Sequence, residues 1–157
     1  MLVRVIRHGC AGHKGEWAGD DAERPLDDEG RRQAAAIREL LADEPVYRLR
    51  SSPTRRCVET LEPLADERRL DVQRLIELAV EAPPDALARL ITVDAADGDV
   101  VCAHGEAMAD VLVRLRADGV DVETDVDDDA LLDKGTCWEL TVDAGRISHL
   151  RHVRPLA

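Results

Sequence analysis

The sequence predicts an α/β fold, a three-layer α/β/α sandwich around a mostly parallel central sheet. Two observations carry this. Short β-rich runs alternate with segments of helical period along the whole chain, the pattern of βαβ units. The 157 residues are also enough for one domain with a sizeable core, so residues 1–157 are expected to form a single domain.

The elements follow in order. Leu2–Ile6 is a β-rich run, and Gly9, Gly12, Gly15 and Gly19 mark a long loop after it. Asp27 is placed to cap a helix through Asp43, with Ile37, Leu40 and Leu41 on one face. Val46–Arg50 is a second strand. Ser52-Pro53 reads as an N-cap with proline at the first helical position. The helix it opens turns Cys57, Val58, Leu61 and Leu64 inward, and Pro63 should bend or end it.

Leu70–Ile76 is a weaker strand, and Pro83-Pro84-Asp85 opens a short helix. Asp97-Gly98 is a turn before a buried strand, Asp99–Ala103. The next helix, Glu106 to Asp118, carries Met108, Val111, Leu112 and Leu115 at i, i+3, i+4 and i+7. Cys137–Val142 and Arg146–Val153 form a terminal hairpin around Asp143-Ala144-Gly145.

Composition narrows the function. Apolar residues make up 45% and charged residues 34%, the balance of a globular chain. Net charge is −12, and seven acids between Asp118 and Asp129 account for more than half of it; that segment reads as a solvated loop or sheet edge. A nucleic-acid partner is not expected, because no broad cationic surface is available to displace counterions. No apolar run approaches ~20 residues, and no secretion signal is evident, so the expectation is a cytoplasmic protein with no membrane partner. Cys10, Cys57, Cys102 and Cys137 lie far apart and read as reduced thiols.

Three strands run into reactive residues: Arg7-His8-Gly9, Ser51-Ser52-Pro53-Thr54-Arg55, and His104-Gly105-Glu106. Parallel neighbours would gather these at one sheet edge, where open α/β sheets bind ligands. Two helix N-termini would lie there too, which favours an anion. Arginine forks match phosphate oxygens, and a neutral imidazole is a competent phosphoryl acceptor. The expected chemistry is phosphoryl transfer without metal or other cofactor. His149 and His152, three apart on a strand, point to opposite faces, and no carboxylate or thiolate spacing supports zinc on His8, His13 and His104.

At these residues the chain resembles the histidine phosphatase superfamily, the phosphoglycerate-mutase-like fold. The motifs are Arg7-His8-Gly9, Ser52-Pro53-Thr54-Arg55-Arg56-Cys57-Val58-Glu59-Thr60 and Cys102-Ala103-His104-Gly105-Glu106. The small size resembles the SixA-type phosphohistidine phosphatases. The wording Ala11-Gly12-His13-Lys14, Arg24-Pro25-Leu26-Asp27 and Lys134-Gly135-Thr136-Cys137-Trp138 is similar to the phosphatase half of Nudix–histidine-phosphatase fusions.

The resemblance implies that His8 is the phosphorylated nucleophile and that Arg7, Arg55 and His104 form the phosphate pocket. Gly9, Gly105 and Lys14 are expected to contact substrate. Leu75-Ile76-Glu77 resembles the segment that supplies a general acid, which makes Glu77 the candidate and Glu81 the second choice. The expected partner is a phosphohistidine protein or a phosphorylated small molecule such as a nucleotide. The alternative is a non-catalytic phosphate-binding module, against which the intact nucleophile speaks.

Overall fold

The computed structural model describes residues 1–155. Its strands are β1 (Leu2–Arg7), β2 (Arg48–Ser51), β3 (Val72–Arg74), β4 (Asp99–Ala103), β5 (Asp121–Glu123), β6 (Cys137–Asp143) and β7 (Arg146–Val153). They form one seven-stranded sheet in the order β3-β2-β4-β1-β6-β7-β5. Only β6 runs against its neighbours, so the sheet is mostly parallel, as expected.

Helices α1 (Asp28–Leu40) and α2 (Arg55–Arg68) cover one face; α3 (Ala86–Arg89), extended by a wider turn over Leu90–Asp94, and α4 (Gly105–Ala117) cover the other. The strand period of two explains both cores. Val3 and Val5 of β1 with Val101 and Ala103 of β4 pack on Leu87, Met108, Val111 and Leu115. Ile6, Val100 and Cys102, one residue out of phase, pack on Ile37, Cys57, Leu61 and Leu64.

Several elements differ from expectation. α2 begins at Arg55 behind Thr54, and Ser52 is not its cap, because the Ser52 hydroxyl is engaged by His104. Pro63 does not end α2. A proline inside a helix costs ~3 kcal/mol or more, but Leu61 and Leu64, fully buried beside it, hold the helix to Arg68. The third strand is only Val72–Arg74, and the second is shifted to Arg48–Ser51. The acidic segment, by contrast, forms a sheet edge as expected: it supplies β5, the edge strand paired with β7, where His149 bridges Asp121 and Glu123 at 3.1 and 3.0 Å.

The loop after β1 is moored on the start of α1. Asp27 accepts from Gly30 N–H at 2.8 Å, and its other oxygen accepts from Gly12 N–H at 3.0 Å. Cys10 donates its N–H to the Gln33 side chain at 2.7 Å, and its carbonyl accepts from Asp27 N–H at 3.0 Å. The backbones touch here: a Cβ on Gly30 would lie 2.0 Å from the Cys10 carbonyl oxygen.

Gly30→Ala should therefore lower unfolding stability by about 1–3 kcal/mol, the usual range for overpacking. Urea denaturation of the two proteins checks this, and an unchanged midpoint would refute the close approach.

Candidate active site

His8 continues β1 and keeps its ladder: its N–H donates to the Ala103 carbonyl of β4 at 3.2 Å. The residue is 5% exposed. Nδ1 lies 2.7 Å from the Gly9 carbonyl oxygen. A carbonyl only accepts, so Nδ1 carries the hydrogen, and in the neutral ring the lone pair is on Nε2. The neutral form is favoured strongly. Burial pushes the His8 pKa down to about 4, with the charges of His104 and Arg56 acting in the same sense.

His104 follows β4 and precedes the first turn of α4. Its ring centroid is 5.5 Å from that of His8, at 65° between planes. Nε2 is 2.8 Å from the Ser52 hydroxyl and 3.8 Å from the Cys57 sulfur, which turns the other edge, Nδ1, away from these buried partners. Ser52 is fixed by β2, whose pairing with β4 places Ser52 N–H on the Cys102 carbonyl at 3.1 Å.

Two arginines flank the histidines. Arg7 donates through Nη1 to the Leu132 carbonyl, and its guanidinium lies on Gly105, where a Cβ would come within 2.8 Å of Cζ. Trp138 holds the neighbouring Leu131 carbonyl through its indole N–H at 2.9 Å, so the buried hairpin fixes this support. Arg56, 4% exposed, donates through Nη1 and Nη2 to the Asp21 carbonyl and carboxylate at 2.9 and 3.1 Å. Nε of Arg7 and Nε of Arg56 are buried and have no partner among the described residues. Thr60, on the same face of α2, accepts the Gly9 N–H at 3.0 Å.

The structure therefore brings together Arg7, His8, Gly9, His104 and Gly105, and it corrects one expected member. Arg55 is not in this group: its side chain is 50% exposed and pairs with Glu59 at 3.1 Å on the outer face of α2. Arg56 takes its place. The signal was present in the sequence, since Arg55 and Glu59 are an i,i+4 ion pair of an exposed face, whereas Arg56, Cys57 and Thr60 share the inward one. Lys14 lies in an exposed turn, Lys14–Glu16, outside this group. His13 is exposed as well, and no three metal-ligating side chains converge among the described residues.

Glu77 sits in an exposed turn, Ile76–Leu78, and walls a cleft of about 70 Å³ together with His104, Glu106 and Asp110. Glu81 is not in that wall. Partial burial and the nearby Glu29 push the Cys10 thiol pKa up, away from reactive thiolate.

Residues 3–80 match the family described as the histidine phosphatase superfamily (branch 1). An 8-oxo-(d)GTP phosphatase of Mycolicibacterium smegmatis is 30% identical over 158 residues, covering 98% of this chain; the chain spans about half of that protein, 48%. Among solved structures, the protein histidine phosphatase SixA complexed with tungstate superposes with a TM-score of 0.72 at 19% identity, over 100% of this chain and 97% of that one. A mycobacterial glucosyl-3-phosphoglycerate phosphatase has a TM-score of 0.65 at 18% identity, over 99% of each chain.

Two outcomes are expected from this geometry. Folding keeps His8 neutral from its ordinary 6.5 down to about 4, while the unfolded chain takes up a proton. Stability should fall as pH drops across that window, by up to about 3 kcal/mol. His8→Gln should flatten this slope in urea titrations at several pH values; a parallel slope would contradict the burial of a neutral ring. In addition, Arg56→Lys should lower phosphatase kcat/KM by about 10²–10³, because lysine has no planar fork, and Arg55→Lys should change it little. The reverse order would restore Arg55 to the pocket.

Proposed function

The chain belongs to the histidine phosphatase superfamily, and from that premise we propose that it hydrolyses phosphorylated small molecules, nucleotides among them, through a phosphohistidine on His8. The observation that carries this reading is the buried neutral imidazole with its lone pair on Nε2. A binding module has no use for that form, since a protonated ring would hold an anion better.

In this reaction Nε2 of His8 attacks phosphorus and the bond to the leaving oxygen breaks. Arg7 and Arg56 hold the equatorial oxygens through guanidinium donors, and the free edge of His104 donates a third hydrogen bond as charge moves onto them. The start of α4 adds its partial positive charge. Glu77, in the wall of the His104 cleft, gives its proton to the departing alkoxide. A water then attacks the phosphohistidine, Glu77 takes the water's proton, and phosphate leaves with His8 neutral again.

A second substrate class, phosphohistidine proteins, is favoured by the exposure of Glu77. A phosphoramidate leaves more readily than an alkoxide and needs no such acid.

Phosphate release from an alkyl phosphate, an aryl phosphate and a phosphohistidine peptide separates these. His8→Ala should abolish all three and remove the acid-labile, base-stable label trapped on wild type. Glu77→Gln should slow the alkyl ester about 10²–10⁴-fold and the other two far less. Label retained in His8→Ala would exclude His8 as nucleophile. A uniform small effect of Glu77→Gln would move the assignment to the phosphohistidine class.

A further inference from the structure

A groove of about 290 Å³ lies between β2 and α3, lined by Arg50, Glu77, Asp85, Arg89 and Asp94, with Pro83 and Leu90 as apolar wall. Glu77 and Pro83 also line the cleft that contains His104, so the two spaces are adjacent and share a wall. We propose that this groove is a subsite for the heterocyclic base of a nucleotide substrate, with Arg50 as the residue that recognises it. The proposal rests on the phosphatase reading above and extends it from the phosphate to the leaving group.

Arg50 is the first observation. Its Nε and Nη1 are buried and have no partner among the described residues. Arg48, on the same face of β2, shows what a satisfied arginine looks like here: it donates to both Asp99 oxygens at 2.9 and 2.6 Å and to the Asp94 carbonyl at 3.1 Å. Arg50 is thus a guanidinium whose donors the protein itself leaves over, in the wall of a groove.

The chemistry of the wall selects the occupant. A second phosphate would meet the carboxylates of Glu77, Asp85 and Asp94, which outnumber the two arginines. A bare sugar offers the guanidinium no flat acceptor edge. A nucleobase suits both signs: ring nitrogens and carbonyls accept from arginine, N–H groups donate to carboxylates, and its faces pack on apolar walls and guanidinium planes. The volume lies at the lower end for small-molecule sites, which fits a base rather than a protein segment.

The test compares kcat/KM for the four ribonucleoside 5′-monophosphates with that for ribose 5-phosphate, which keeps the ester and lacks the base. Wild type should prefer at least one base-bearing substrate. Arg50→Met should reduce that preference by about 10-fold or more, and Arg114→Met, an exposed control on α4, should keep it. Equal kcat/KM in wild type, or a preference undiminished in Arg50→Met, overturns the subsite while leaving the phosphatase reading intact.

Calorimetry with each of the four ribonucleosides, which carry no phosphate, gives a second readout that does not depend on turnover. Wild type should bind at least one of them, and Arg50→Met should bind that one at least about 10-fold more weakly. If no phosphate ester is hydrolysed, the phosphatase reading fails and this binding still decides the subsite; no binding to wild type overturns it. Should Arg50→Met not fold, Asp85→Asn, in the same lining, is expected to lower the same preference, and an unchanged ratio there counts against the proposal.

Discussion

The parallel pairing of β1 with β4 is the constraint on which the site depends. Arg7 is opposite Ala103 in that register, and the ladder continues one step further through His8 N–H. Both strands then stop, and each runs into its histidine at the same level of the sheet. Pairing of β2 on the other side of β4 brings Ser52 beneath His104. Because side chains alternate along a strand, a shift of one residue in either register would turn these groups to the opposite face and expose the valines that fill both cores.

Burial does the chemical tuning. His8 is enclosed by the β1–α1 loop, α2 and His104, and the enclosure removes the water that would support an imidazolium. The charge of Arg56 acts on the same ring, and the Arg7 guanidinium lies against Gly105, next to His104. Each is tied down through some of its nitrogens, Arg7 to Leu132 and Arg56 to Asp21, with Nε left over. An anion entering this pocket thus meets fixed donors and a neutral ring whose Nε2 keeps its lone pair. Preorganised charge of this kind needs little rearrangement at the moment of reaction.

Much of this was legible along the chain. Strand–helix alternation foretold the layers, the caps at Asp27 and the turn at Ala144-Gly145 marked boundaries, and the three polar strand ends marked the site. The departures have physical causes. Pro63 breaks a local rule and stays helical because Leu61 and Leu64, on the inward face of the same turn, are fully buried in the core. Ser52 looks like a cap in isolation and serves His104 instead, a partner 52 residues away. Arg55 and Arg56 are adjacent in sequence, and the 100° turn per helical residue alone separates an exposed ion pair from a buried guanidinium with an unpartnered Nε among the described residues.

By itself, the sequence determined the layer order and the two strand ends that carry His8 and His104, since hydrophobic period and strand-end residues are local properties. The tertiary structure decided which arginine enters the pocket, which imidazole nitrogen is free, and that Arg50 lines a groove beside Glu77. Those outcomes depend on helix phase, on burial and on contacts between residues far apart in the chain, none of which is a property of a segment alone.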